Sequence, residues 1–164
     1  MSETREEDSA ATQYLSFILA AEEYALGILR VREIIEYDTV TPVPGAPVWM
    51  RGVFNLRGGV VPLVDLTVKL GLAPITLTRR SCIVVVVAQL GEESVVLGLL
   101  ADGIGQVLDL GPEDVVPPPA FGTPVPAGLL TGLGRTGGGR KFVLLLDIDK
   151  VLGGQTGAVP GTAA

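Results

Sequence analysis

A glycine-rich run in the last third of the chain has the spacing of a nucleotide-binding loop. Gly132-Leu133-Gly134-Arg135-Thr136-Gly137 fits the G-x-G-x-x-G pattern, which in dinucleotide-binding folds leads from a strand into a helix whose N-terminus binds pyrophosphate. Here the run continues through Gly138 and Gly139 into an apolar segment of strand type. Because the pattern lacks the helix that would supply free N–H donors, we predict a flexible hairpin loop and no nucleotide site.

The residue types that catalysis uses most often are scarce. There is no histidine and Cys82 is the only cysteine, which excludes an internal disulfide, a histidine-ligated zinc, a Ser-His-Asp triad and a phospho-accepting imidazole. Cys82 heads a valine-rich run and is predicted to be a buried thiol. Asp65 and Asp147 are interpreted as helix caps, and Asp102 and Asp109 as solvated surface residues. We therefore predict a protein that is not an enzyme and that uses no metal and no cofactor.

Two segments favour a binding surface instead. Arg57 falls in a predicted tight turn, where its guanidinium has several donors for backbone carbonyls or an acidic partner; a solvated loop arginine is the alternative. Upstream, Val31, Glu33 and Ile35 share one face if their segment is a strand. A glutamate among apolar neighbours indicates a surface that a partner covers, although a single charge also protects an ordinary strand edge against pairing.

Composition limits the class of partner. The 164 residues carry a net charge of −6, and 18% of them are charged while 48% are apolar. An acidic surface is unfavourable for duplex DNA and for anionic lipid, so we expect protein partners and no nucleic acid. With 22 glycines and 12 prolines, the chain is predicted to form many short buried strands joined by turns.

No segment predicts insertion into a membrane. The longest uncharged stretch, Val115 to Gly134, has the length of a membrane helix but contains five prolines, which prevent a continuous helix. Met1 to Ala10 is acidic, the reverse of a secretory signal with its basic start. A cytoplasmic protein is the expectation.

The predicted architecture is mainly β. Short apolar runs of β-forming residues predict about ten strands, at 14–20, 24–29, 31–37, 52–55, 60–64, 82–90, 94–100, 104–110, 129–133 and 142–146. Hairpin turns are predicted at 20–23, 57–59 and 90–93. Residues 1–12 and 153–164 lack the bulky apolar side chains that offset ordering entropy, and we expect both ends to be flexible.

Two echoes within the sequence indicate a repeat. A five-residue apolar strand, a capping aspartate and a terminal glycine occur at 60–71 and again 82 residues later, at 142–153. A second pair of similar hairpin segments, 22–28 and 92–99, lies about 71 residues apart. We infer two related β-subdomains, with the cleft between them as the natural place for a partner.

The binding-surface segments described above, together with their neighbours, resemble the CheW-like family, the coupling proteins of bacterial chemotaxis. The resemblance covers about residues 13–152. Its motifs, in chain order, are EEYALGI at 22–28, VREI at 31–34, VFNLRG at 53–58, VPLVDL at 61–66, GLLADGI at 98–104, LTGLG at 130–134 and LLLDI at 144–148.

The resemblance implies a fold of two small five-stranded, SH3-like β-barrels with short helices, acting as a scaffold without catalysis. Members of the family join the cytoplasmic tips of chemoreceptors to the regulatory domain of the histidine kinase CheA. Carried over by motif, the receptor-facing residues are Val31, Glu33, Arg57 and Val107. The candidates for the kinase contact are Arg51 and Gly52.

The sequence departs from the family pattern in its two glycine-rich loops, at 58–59 and 137–139, which affects partner choice. One alternative is an adaptor of the same family in a non-flagellar pathway, such as pilus motility or development. The other is a small-ligand-binding β-barrel enzyme.

Overall fold

The computed structural model describes residues 12–118 and 127–153, and within these ranges the chain is almost entirely β-structure. The predicted flexible ends, 1–12 and 153–164, lie outside the described residues except for Thr12 and Gly153. The strands are β1 Thr12–Leu19, β2 Glu22–Gly27, β3 Val31–Glu36, β4 Met50–Leu56, β5 Gly59–Asp65, β6 Cys82–Leu90, β7 Glu93–Ala101, β8 Gly103–Leu110, β9 Val115–Val116, β10 Leu130–Thr136 and β11 Lys141–Leu146. The helices are α1 Leu66–Lys69 and α2 Ile148–Gly153.

All ten predicted strands are present, and the mainly β prediction is confirmed. The two-residue strand β9 was not predicted, because two valines between a turn and a proline run give too short a pattern. The uncharged stretch from Val115 contributes β9, a 3-10 helix at Ala127–Leu129 and β10, while 119–126 lies outside the described residues. No helix in the described ranges is long and apolar enough to cross a bilayer.

The strands form two sheets, and each sheet is one barrel. The central barrel contains the consecutive strands β3 to β7, in the order β3-β6-β7-β5-β4. The terminal barrel combines both ends of the described chain, in the order β8-β1-β2-β11-β10-β9. Two five-stranded barrels were predicted; the terminal barrel instead has a sixth strand, since β9 adds to its edge.

Both barrels close in the same way. In the central barrel the chain beyond β3 returns to the opposite edge, where Thr41 and Val53 exchange backbone hydrogen bonds of 2.8 and 2.9 Å. In the terminal barrel the chain beyond β8 returns as β9 and pairs with β10. In each barrel, the segment that closes it comes directly after an edge strand, β3 in the central barrel and β8 in the terminal barrel. The two barrels therefore have equivalent topology.

This topology explains the two sequence echoes. The unit β4-β5-α1 occupies the place in the central barrel that β10-β11-α2 occupies in the terminal one, and this is the repeat at an offset of 82. The hairpin β1-β2 is likewise equivalent to β6-β7. In the terminal barrel, β2 lies parallel to β11, as β7 lies parallel to β5 in the central barrel. The terminal barrel is therefore completed by a hairpin from the start of the chain.

Both short helices begin at the predicted capping aspartates, and α1 also ends at its predicted glycine. The Asp65 carboxylate accepts a hydrogen bond from the Thr67 N–H at 3.1 Å, and the Asp147 carboxylate accepts one from the Lys150 N–H, also at 3.1 Å. Gly71, with φ of +85°, takes the left-handed conformation that ends α1. Such a conformation costs glycine little.

One apolar core joins the barrels. The main cluster of buried side chains includes Phe17 and Tyr24 of the terminal barrel, Leu63 and Leu99 of the central barrel, and Ile148 of α2. A smaller cluster fills the terminal barrel. Since close-packed interiors deform little, the shared core makes the two barrels a single stiff unit.

The β1-β2 turn is strained and gives the first prediction. Leu19 pairs with Glu22, so Ala20 and Ala21 form a two-residue loop, with φ values of +52° and +68°. This geometry favours Asn-Gly, and the left-handed region costs an alanine about 1 kcal/mol or more. We expect the double change Ala20→Asn, Ala21→Gly to raise the free energy of unfolding by about 1–2 kcal/mol in urea titrations. The control is Gly91→Ala in the equivalent β6-β7 turn, where φ is +67°, and this change should lower the free energy of unfolding. A loss of stability from the double change, or a gain from Gly91→Ala, would contradict the strain argument.

Tyr24 gives a second prediction, because its side chain is fully buried and, in the described part of the chain, its hydroxyl has no hydrogen-bond partner. Burial raises the pKa of Tyr24 to about 12. An unsatisfied buried hydroxyl costs about 1–3 kcal/mol, so Tyr24→Phe should increase the free energy of unfolding by about 1 kcal/mol. The matched control is Tyr14→Phe at a half-buried position, expected to stay within about 0.5 kcal/mol. A destabilised Tyr24→Phe protein would show that the hydroxyl is satisfied.

Candidate interaction site

The turn that carries Arg57 has a defined geometry. Leu56 pairs with Gly59, leaving Arg57 and Gly58 as a two-residue loop with φ values of +51° and +86°. A two-residue hairpin loop with positive φ at both residues, as at Arg57 and Gly58, is a type I′ turn. The Asn55 side-chain oxygen accepts a hydrogen bond from the Gly58 N–H at 3.0 Å. An arginine in the left-handed region is unusual, and this conformation fixes the direction in which the side chain leaves the β4-β5 hairpin.

Arg57 forms a two-pronged ion pair with Glu33. Its Nη1 lies 2.5 Å from Glu33 Oε2 and its Nη2 lies 2.9 Å from Oε1. The hydrogen bonds and the charge of Glu33 raise the pKa of Arg57. Strands β3 and β4 are the two edges of the central sheet. The ion pair therefore connects these two edges of the barrel, and the Thr41–Val53 hydrogen bonds connect them at a second point.

The ion pair lies at the surface but its two members differ in exposure. The Arg57 side chain is 72% exposed and that of Glu33 is 26% exposed. Val31, Glu33 and Ile35 are half-buried, while the alternate residues of β3 are exposed; the predicted common face is confirmed. Val31 and Ile35 pack against the main core. Glu33 therefore sits on a firm apolar support and holds Arg57, which stays accessible.

Val107 lies on the other barrel. It belongs to β8, pairs with Leu15 of β1, and is 53% exposed. The four residues predicted to face a receptor are thus divided between the barrels, with Glu33 and Arg57 in direct contact, Val31 on the same strand as Glu33, and Val107 on the edge strand of the terminal barrel.

Arg51 and Gly52 have tasks inside the protein. Arg51 Nη1 lies 3.1 Å from the Asp65 carboxylate and 3.1 Å from the Ile75 carbonyl oxygen. Asp65 is fully buried and also accepts the Ile75 N–H at 2.9 Å. Gly52 is buried with φ of +149°, and a Cβ there would lie 2.3 Å from the Thr41 carbonyl oxygen. Both residues fix the path of β4 and of the chain that closes the central barrel.

A further ion pair, between Arg30 and Asp149, was not predicted. Arg30 Nη1 lies 2.8 Å from Asp149 Oδ1 and 3.1 Å from the Val87 carbonyl oxygen, and Asp149 Oδ1 also accepts the Gln89 N–H at 2.7 Å. Burial opposes ionisation of Asp149, but its hydrogen bonds to Arg30 and Gln89 prevail and lower its pKa. Arg30 and Asp149 are 119 positions apart, so no local pattern relates them. This contact, the Arg30 clasp, ties α2 to the central barrel.

The glycine-rich run forms a hairpin, as predicted. Gly132 and Gly134 belong to β10, and Gly137 starts the turn to β11. A Cβ at Gly134 would lie 2.6 Å from Leu110 Cδ1, so this glycine permits close packing of β8 against β10. The adjoining cleft of about 590 Å³ is lined by Asp109, Glu113 and Asp114 as well as Arg135. The three carboxylates of this lining are unfavourable for a phosphate group.

Cys82 is 9% exposed, which confirms the predicted buried thiol. Burial raises the pKa of its thiol, and the charge of Asp102 raises it further. A thiol with a raised pKa is a poor nucleophile at neutral pH. Cys82 therefore serves as a packing residue.

These features define a class: a two-barrel β-protein with a rigid core and an exposed charged and apolar surface, typical of a binding module. The CheW-like domain family model matches residues 13–155. A chemotaxis protein CheW of Klebsiella aerogenes is 36% identical over 96% of this chain and 91% of its own length. A chemotaxis protein CheW of Rhizobium meliloti is 32% identical over 85% and 86%.

A solved structure agrees with the sequence matches. The scaffolding protein TtCheW from Thermoanaerobacter tengcongensis superposes with a TM-score of 0.78 at 25% identity, covering 92% of each chain. The chain therefore belongs to the CheW-like family and is a chemotaxis coupling protein with a scaffold fold.

The packing at Gly52 gives a third prediction. Gly52→Ala places a methyl group against the Thr41 carbonyl in a backbone conformation that side chains rarely adopt, so β4 or the Thr41 segment must move. We expect the free energy of unfolding to fall by about 2–4 kcal/mol, together with faster amide exchange at Val53. Gly27→Ala is the control, since nothing lies within 4 Å of a Cβ there. Equal effects of the two substitutions would refute the close contact.

Proposed function

We propose that this chain links the cytoplasmic tips of chemoreceptors to the regulatory domain of a CheA histidine kinase, without catalysing a reaction itself. The single observation that supports this best is the Glu33–Arg57 pair, a charged feature presented in one fixed geometry on a stiff two-barrel body. The family membership supplies the biological setting. In this proposal the chain works on the cytoplasmic side of the membrane, within receptor arrays.

The receptor-facing surface combines apolar and charged contacts. Val31 and Val107 provide apolar area, Val107 being half-exposed, which suits the apolar face of a receptor helix. Arg57 uses two of its five N–H donors for Glu33, so three remain for a carboxylate or carbonyl of the receptor. Glu33 then holds the guanidinium in place, which lowers the entropy lost on binding.

The kinase contact is proposed to involve the β4 region of the central barrel. Arg51 and Gly52 were the predicted contact residues. Since the Arg51 guanidinium is bonded to Asp65 and Ile75, we assign both residues a positioning role: they shape β4 and the Thr41 segment, and the kinase would recognise that shape.

Coupling also requires that a shift at one face reach the other. A flexible tether would hold the kinase near the receptor without transmitting a change in receptor conformation. The shared core and the Arg30 clasp favour transmission, because they join the barrels through close packing and through the hydrogen bond that the Gln89 N–H of β6 donates to Asp149 of α2.

The fourth prediction tests Arg57. Arg57→Ala should abolish receptor-dependent control of kinase activity in arrays reconstituted from receptor, kinase and this chain. The thermal unfolding midpoint should change little, since exposed ion pairs contribute little to stability. Arg57→Lys is the matched control: it keeps the charge but loses the two-pronged geometry, so a partial response is expected.

The exchange of both charges, Glu33→Arg with Arg57→Glu, separates two roles for Arg57. Recovery of the response would show that the pair acts by bracing the surface, whereas continued loss would show direct contact of the guanidinium with the receptor. A normal attractant response from Arg57→Ala arrays would refute the role of this residue.

A further inference from the structure

The two barrels correspond to each other down to single backbone contacts around one aspartate in each. The Trp49 carbonyl oxygen accepts the Asp65 N–H at 2.7 Å, and the Leu129 carbonyl oxygen accepts the Asp147 N–H at 3.0 Å. Each aspartate directly follows the second strand of its hairpin and caps the short helix behind it. Asp147 is therefore the structural counterpart of Asp65.

A bulge in each barrel extends this correspondence to the neighbouring strand. The register of β4 shifts just before Gly52, and the register of β10 shifts just before Gly132. A Cβ on either glycine would collide with a carbonyl oxygen of the segment that closes its barrel. The residues that directly precede these glycines, Arg51 and Thr131, therefore occupy equivalent positions.

In the central barrel, the chain that follows α1 returns to cover its aspartate. The buried Asp65 carboxylate accepts the Ile75 N–H at 2.9 Å, and Arg51 Nη1 lies 3.1 Å from that carboxylate and 3.1 Å from the Ile75 carbonyl oxygen. The Ile75 side chain is buried in the main core. A carboxylate, a guanidinium and an apolar recess thus hold one residue by its N–H, its carbonyl and its side chain.

In the terminal barrel, the corresponding place is a cleft of about 350 Å³. Tyr14 and Leu26 line it, together with Thr131, whose short side chain leaves the space that the Arg51 guanidinium takes in the central barrel. Asp147 is half-buried at its edge. In the described part of the chain, the Oδ2 atom of this carboxylate has no hydrogen bond and no ion pair, so it is available to a donor in the cleft.

Arg30 gives this cleft a donor as well. Its guanidinium lines the cleft, and its bonds to Asp149 and to the Val87 carbonyl oxygen use three of its five N–H groups. Among the described residues, the other two N–H groups have no acceptor. The cleft therefore offers a carboxylate acceptor at Asp147 and a guanidinium donor at Arg30, the same pair of groups that holds Ile75 in the central barrel.

The sequence after α2 does not repeat the residue that fills the recess in the central barrel. Residues 72–77 read LAPITL, whereas the positions 82 residues later, 154–159, read GQTGAV. Gly157 corresponds to Ile75 and has no side chain to bury against apolar walls, and burial of a branched apolar side chain is the larger part of what such a recess can contribute. The cleft is therefore suited to a segment of another chain.

We propose that this cleft binds an uncharged peptide segment of a partner protein, with a branched apolar residue as its anchor. The N–H of the anchor residue donates to Asp147 Oδ2, its carbonyl oxygen accepts from Arg30, and its side chain lies against Tyr14 and Leu26. Main-chain groups satisfy both ions, so a charge on the segment would only add a desolvation cost. The site uses none of the residues proposed to face the receptor, and its test is independent of that proposal.

The probe is a peptide with blocked ends and the sequence of residues 71–78, GLAPITLT. It is titrated into the isotope-labelled full chain, and binding is followed by amide chemical shifts. We expect shifts at Gly27 and Thr131. Asp147→Asn should weaken binding about tenfold, because a hydrogen bond to a charged acceptor is stronger than one to a neutral acceptor. Asp109→Asn, at an exposed carboxylate of the same barrel, is the matched control and should leave the affinity unchanged.

Two further changes test the template itself. N-methylation of the peptide isoleucine removes its donor and should also weaken binding about tenfold. Gly157→Ile gives the chain its own anchor at the equivalent position, and this linked anchor should compete with the free peptide and block its binding. Shifts confined to Asp65 and Ile75 would mean that the peptide exchanges with the segment it copies. That result, no binding, or equal affinity for wild type and Asp147→Asn would overturn the proposal.

Discussion

The packing of the N-terminal hairpin into a barrel made from the other end of the chain governs the rest of this structure. Without β1 and β2, the edge of β8 and the parallel edge of β11 would both be unpaired, and the buried faces of Phe17 and Tyr24 would be missing from the core that joins the barrels. Exposed edges and apolar faces of that size are unfavourable in water. The contact between the ends of the chain therefore determines whether there is one rigid body or two loose sheets.

Ionic groups serve two different purposes in this body. Asp65 with Arg51, and Asp149 with Arg30, satisfy backbone groups at points where the chain changes direction, and removal of one partner would leave a buried or half-buried charge uncompensated. Within the described ranges, the side chains of Glu33 and Arg57 bond only to each other, and the Arg57 side chain is largely solvated. An exposed pair contributes little to stability, which fits a role in presenting a surface rather than in holding the fold.

Backbone strain follows the same division. Ala20, Ala21 and Arg57 are the residues other than glycine with positive φ in the described ranges. At Ala20 and Ala21 the strained conformation only forms the tight turn between β1 and β2, so residues that favour positive φ are expected to relieve the strain. At Arg57 the same conformation aims a guanidinium across the barrel opening at Glu33, and relief of that strain would alter the surface.

The sequence alone determined what depends on neighbouring residues: strand periodicity, hairpin turns, the caps at Asp65 and Asp147, the burial of Cys82, and the strand that follows the glycine-rich run. It also indicated the repeat, and its motifs indicated the family. It did not determine which hairpin completes which barrel, because the partner of β1-β2 lies beyond the whole central barrel. Nor did it determine the Arg30 clasp or the internal bonds of Arg51. Those contacts join segments that are distant in sequence, and only tertiary packing decides which side chains meet and how much water they keep.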